Sequence, residues 1–138
     1  MMEVARVLAT RRAELRPSVV FCFWNGHEVA EAAGSAYFVN ALWEEINRSG
    51  VAYLNIDSVG VKDTTEFHVN ACPELRAFSK AVAEATLDGG IPIMVGNLDR
   101  FGDQSFFSIG VSSTTARHGA QTLFRWNRLV ANNRTFQG

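Results

Sequence analysis

Residues 18–24, SVVFCFW, are apolar at odd and even positions alike. A strand with one face on a core and one in water alternates; a strand apolar on both faces belongs inside a sheet, with a layer packed against each side. That demand governs the reading of the rest of the chain. VAYLNID, residues 51–57, reads as a second buried strand, IPIMV, residues 91–95, as another, and VSSTT, residues 111–115, as the last. Helical spacing fills the intervals. Met1, Val4, Ala5 and Leu8 predict a helix over 2–15, with Arg11, Arg12 and Arg16 where a helix C-terminus favours cations. Val39, Leu42, Trp43 and Ile46 mark one face of a helix running from Gly34 to a stop at Gly50. Pro73 opens a third, with Leu75, Phe78, Val82 and Ala85 on one face and Asp88-Gly89-Gly90 as its end. A short helix begins near Asp103, and the stretch from Ser58 to Asn70 reads as a loop with a short strand at Glu66 to Val69. This alternation predicts βαβ crossovers and an α/β fold, a three-layer α/β/α sandwich around a mostly parallel sheet.

At 138 residues the chain is one domain, residues 1–138, with a core over about 1–118 and a tail, 119–138, of poor periodicity. A net charge of -1 and no basic patch leave no basis for a nucleic-acid partner. No uninterrupted apolar stretch reaches the roughly 18 residues of a membrane span, and the N-terminus lacks the apolar core of a signal peptide, so no membrane partner is expected and the compartment stays open. Cys22 and Cys72 have no metal-binding or redox spacing; Cys22, inside an apolar run, is expected to be a buried free thiol.

Two polar clusters follow strands, where ligands bind in open α/β sheets. Asn25-Gly26-His27-Glu28 ends the first strand and Asn55-Ile56-Asp57-Ser58 the second. If these strands are neighbours, the Glu28 and Asp57 carboxylates meet at one rim, an arrangement suited to a divalent cation. The alternative is that Glu28 caps the next helix and Asp57 forms an Asx-turn. His27-Glu28-Val29-Ala30-Glu31 is also one residue short of H-E-x-x-H, a reading in which His27 is the ligand and Glu28 the base.

Taken together, FCFWNGHEVAEAAGSAYFVNALW, VAYLNIDSVG, GDQSFF and IGVSSTTAR, in this order, resemble the co-catalytic zinc aminopeptidase family that includes glutamate carboxypeptidase and transferrin-receptor-like proteins. The opening MMEVARVLA is similar to the helix after that family's bridging-aspartate loop, so the resemblance spans roughly residues 1 to 118. It implies a two-zinc peptidase with a peptide substrate, Glu28 and Asp57 as zinc ligands, and Asp103 orienting the metal-facing loops. His27 then stands where the family places a glutamate that takes a proton from the attacking water, and imidazole can do that work near neutral pH. The turn is one residue longer than the family's usual form. The upstream H-x-D motif and the bridging aspartate have no counterpart here, and no histidine follows Ala120. His118 reads as a loop histidine, and His68 carries no motif. The resemblance therefore implies an incomplete zinc-peptidase-like domain, an aminopeptidase-like hydrolase with little activity as this chain alone. The alternative, from another class, is a metal-free interaction or dimerisation module of the same fold, for which a homo-oligomer is a natural partner state and Phe106, Phe107, Phe124, Trp126 and Phe136 are candidate patch residues.

Overall fold

The structure, a computed structural model, describes residues 1–25, 32–57, 59, 64–87, 90–98 and 102–118, with the backbone alone for 102 and 103. The turn carrying His27 and Glu28 and the tail 119–138, with its three aromatic residues, lie outside the described residues. In chain order the elements are α1 (Met2–Thr10), a 3-10 turn (Arg12–Glu14), α2 (Ala33–Ala41), α3 (Trp43–Ser49), β1 (Ala52–Ile56), β2 (Phe67–Ala71), α4 (Pro73–Thr86), β3 (Ile93–Gly96), α5 (Gly102–Phe107) and β4 (Ser112–His118). The helix expected over 2–15 thus ends five residues early and tightens into a 3-10 turn, and the second helix is broken at Leu42.

The four strands pair in the order β1-β4-β2-β3. β1 with β4 and β2 with β3 are parallel, whereas β2 with β4 is antiparallel. The reversal of β2 follows from connection length: residues 57–66 are too few for the dozen or more that a parallel crossover takes. α2 and α5 cover one face of the sheet and α4 the other, which gives three layers.

The core has two parts. On the α5 side, Val39, Phe106 and Val111 are buried, with Trp24, Phe38, Ile46, Tyr53 and Ile109 packed around them. Phe106 is its hub: its ring stacks on Tyr53 with centroids 4.0 Å apart and an interplanar angle of 8°. Trp24 meets Phe38 edge-on at 5.5 Å. On the α4 side, Phe67, Val69 and Ala83 are buried beneath Leu87, Ile91, Ile93 and Ala116.

Four expectations fail in detail. Residues 18–24 form no strand and pair with none among the described residues, and Val20 and Phe23 are 72% and 69% exposed. β1 forms as expected but is an edge strand rather than a buried one; alternate residues face solvent, with Leu54 56% exposed. On α4 the core-facing residue is Ala83, and the apolar row of Phe78, Val82 and Ala85 points outward. The helix carries two candidate stripes, and close approach to the sheet selects the one with the small residue. His118 ends β4 instead of lying in a loop.

The contrast between Phe106 and Phe78 gives a direct check. Phe106→Ala is expected to lower unfolding free energy by about 3–5 kcal/mol, and Phe78→Ala, 67% exposed, by less than about 1 kcal/mol. Urea titrations of both variants measure the difference.

Candidate functional site

The end of the apolar run is tied to β1. Trp24, at the end of the apolar run, donates its indole N–H to the Tyr53 hydroxyl at 2.9 Å, and Tyr53 donates in turn to Asn55 Oδ1 at 3.2 Å. This relay joins the residue four places before Glu28 to the asparagine two places before Asp57. Gly34 explains part of the Gly-Ser helix start. A Cβ there would lie 3.2 Å from Trp24 Cε3 and 3.5 Å from the Asn25 carbonyl, so glycine lets the run pass close beneath α2. Ser35 is fully buried; its Oγ donates to the Ala32 carbonyl and lies 3.0 Å from Ser105 Oγ, which ties α2 to α5.

Asp57 stands at the carboxyl end of β1. Ile56 faces Ala116 in the ladder, and the Asp57 backbone N–H continues it by donating to the Ala116 carbonyl at 3.2 Å, which holds a half-buried carboxylate at the rim beside Arg117. Alternation along the strands then sorts the neighbours. Tyr53 lies against Phe106 on the α5 side, so Asn55 and Asp57 share that side. Ala116 packs with Phe67 and Val69 on the α4 side, so Ser113, Thr115 and Arg117 of β4 and His68 and Asn70 of β2 lie on the α5 side as well. The row at the rim is Asp57, Arg117, His68; the row one step deeper is Asn55, Thr115, Asn70.

Within these rows His68 Nε2 lies 3.0 Å from Glu66 Oε1. Thr115 is only 2% exposed, and its Oγ1 has no hydrogen-bond partner among the described residues. On the opposite face His118 packs edge-on against Phe67 at 5.4 Å, and burial pushes its imidazole below the ordinary histidine range. Cys22 is half-buried, with its thiol pushed up by burial, while Cys72 is the fully buried one. Of the residues picked from sequence, Asp57 reaches the rim, Asp103 lies in α5 with only its backbone described, and His27 and Glu28 are outside the described residues. Among the described residues no three His, Cys, Asp or Glu side chains gather as a metal cage. Sequence reasoning missed Tyr53, Thr115 and Arg117, which carry no motif of their own; their common signal is odd-numbered placement on two strands that end at the same rim.

A cleft of about 470 Å³ lies elsewhere, lined by Ala71, Cys72, Pro73, Asn97, Leu98, Gln104, Phe107 and Ser108. Because β2 runs against β4, with the Cys72 N–H bonded to the Ser113 carbonyl, this cleft sits at the far end of the sheet from Asp57. At its edge Glu74 is held below the ordinary carboxylate range by its own backbone N–H, then by the Ser112 hydroxyl and the Cys72 thiol.

Three comparisons bear on this arrangement. The model of peptidase family M28 matches residues 1–95. The crystal structure of BSAP, a zinc aminopeptidase from Bacillus subtilis, superposes with a TM-score of 0.54 at 20% identity, over 67% of this chain and 24% of that one. The chain thus spans about a quarter of the length of the aminopeptidase whose fold it shares. Among curated proteins nothing matches. No helix among the described residues is long and apolar enough to cross a membrane.

The lowered His118 fixes a sign. The folded state resists protonation of this ring, so its contribution is intact above the unfolded value near 6.5 and is lost as pH falls below it. Urea midpoints compared at pH 7.5 and 5.5 should therefore fall further in the parent chain than in His118→Gln.

Proposed function

Because this chain belongs to peptidase family M28, we propose that it is the ligand-bearing core of a zinc-dependent, aminopeptidase-like exopeptidase acting on peptides. The observation that supports this reading is the Trp24–Tyr53–Asn55 relay, which ties the end of the apolar run, three residues before His27 in the sequence, to the strand that leads to Asp57. Donor chemistry agrees in part. Asp57 presents carboxylate oxygens at the carboxyl end of β1, and Glu28 is the second ligand in this reading, a pair suited to zinc. Zinc, when bound, would polarise the scissile carbonyl and lower the pKa of the attacking water.

The chain's own residues supply the rest. His27, in this reading, takes a proton from the attacking water at its ring nitrogen and returns it to the leaving amine. Asp57 balances positive charge at the rim, held there by its backbone bond to Ala116. Asp103 orients the loop that enters α5. Two carboxylates and an imidazole are too few to hold two zinc ions, so little or no hydrolysis is assigned to this chain alone.

Elemental analysis of the purified chain is expected to give fewer than two tightly bound zinc ions, with no turnover of aminoacyl-anilides above blank. Asp57→Asn should weaken zinc binding at least about tenfold. Two tight zincs with clear turnover would refute the assignment of an incomplete ligand set, and zinc binding indifferent to Asp57→Asn would refute the ligand role.

A second reading, a metal-free interaction or dimerisation module, is favoured by the edge of β1, unpaired on its outer side among the described residues, with Leu54 more than half exposed. It predicts self-association that rises with concentration in light scattering and is weakened by Leu54→Lys; a monomer at all concentrations would exclude the dimer.

A further inference from the structure

We propose that Asn55, Thr115 and His68 form a cradle for a neutral peptide group on the α5 side of the sheet, so that this face holds the backbone of a peptide and not its charged ends. The inference deepens the peptidase reading above and rests on it for its hydrolytic context. Asn55 of β1, Thr115 of β4 and His68 of β2 share one face across three adjacent strands. Thr115 is the register partner of Asn55, and His68 stands one step nearer the rim. Asp57 and Arg117 are already engaged and supply none of the contacts.

Each of the three residues has hydrogen-bonding capacity that the described residues leave unused. Asn55 accepts the Tyr53 hydroxyl at its Oδ1, which leaves the two N–H groups of its carboxamide as donors. His68 Nε2 lies 3.0 Å from Glu66 Oε1; a carboxylate only accepts, so the neutral ring carries its proton on Nε2 and presents Nδ1 as an oriented acceptor. Between them Thr115, only 2% exposed, has a hydroxyl without a partner among the described residues, and a polar group buried in that way calls for a ligand atom or an ordered water. Asn70, the other register partner of Thr115, turns toward β3: a Cβ on Gly96 would lie 2.8 Å from Asn70 Oδ1, so glycine makes room for that carboxamide.

A donor on one side and an acceptor on the other complement a peptide group, whose carbonyl accepts and whose N–H donates in opposite directions. The spacing agrees. Asn55 and His68 stand two strands apart, roughly 10 Å at about 4.8 Å per strand, and a trans amide bonded on both sides spans about 8 Å between its partners. A carboxylate would face the Nδ1 lone pair and an ammonium the Asn55 N–H groups, so either charged end of a peptide is the poorer fit. Glu66 acts through His68 as a positioning residue.

NMR titration of the full chain, with and without zinc, tests this with N-acetyl-alanine methyl ester and O-acetyl-lactic acid methyl ester, which differ only in an N–H replaced by oxygen. The amide is expected to bind about threefold or more tighter, the worth of one hydrogen bond, and to shift the Asn55 carboxamide and His68 ring signals. His68→Phe should abolish that preference. Asn55→Asp, which still accepts from Tyr53 but offers no donor, should weaken both probes. Ring nitrogen shifts should show His68 Nδ1 unprotonated in the neutral parent and a mixture of tautomers in Glu66→Gln, a readout that needs no variant at His68. Equal affinity for the two probes, binding of neither, a preference that survives His68→Phe, or a neutral ring protonated on Nδ1 would overturn the proposal. Zinc content of the same samples reports on the peptidase reading separately: a His68-dependent preference in a chain that holds no zinc supports the cradle while removing its hydrolytic context, and bound zinc without the preference removes the cradle alone.

Discussion

The indole N–H of Trp24, bonded to the Tyr53 hydroxyl at 2.9 Å, joins the end of the apolar run to β1. Tyr53 is fixed on the other side by its stack on Phe106, and Phe106 is fixed by Trp24 and Phe38. An indole N–H and a phenol drawn partly out of water need partners; here the phenol accepts from the indole and donates to Asn55. The aromatic cluster therefore does two jobs: it forms the core beneath α2 and α5, and it fixes the end of the apolar run at Trp24 against β1. Gly34 and Ser35 serve the same junction, one by leaving room for the indole and the other by clamping α2 to α5.

The uncovered surfaces have a common cause. Residues 18–24 are built to be buried on both faces, β1 offers an open edge, and α4 turns Phe78 and Val82 outward. Each is what remains of an apolar element when the layer or strand that would lie against it is not supplied by the described residues. The expected strand at 18–24 fails for this reason and not for want of propensity: its Val and Phe residues favour extended backbone, but a strand needs a ladder on at least one side.

Much of the fold was legible because hydrophobic periodicity reports burial and little else. It located α4, β1, β3 and α5 within a few residues of their observed positions, and it identified the α/β class that the resemblance to a Bacillus aminopeptidase fold also supports. It identified the mostly parallel sheet without the direction of β2, and it misjudged what depends on neighbours: the edge position of β1 and which stripe of α4 meets the sheet. Of the site, the ordered motifs singled out Asp57, whose carboxylate stands at a strand end. They were silent on Thr115 and Arg117, because a threonine and an arginine on a polar strand look like solvent-facing residues until the register shows what lies beside them.

That register also explains an oddity of composition. The sheet face beneath α5 is lined at its centre by Ser113, Thr115 and Asn70, all nearly or fully buried, where valines or isoleucines would pack better and leave no hydroxyl without a partner. Beneath α4, with the same strands, the residues are Phe67, Val69 and Ala116, an ordinary apolar layer. One sheet thus has a face selected for packing and a face selected for polarity. The polar face leads strand by strand to Asp57 and Arg117. The apolar α4 side of the sheet and the aromatic cluster around Phe106 carry the packing, and the buried hydroxyls of Ser113 and Thr115 stand between them.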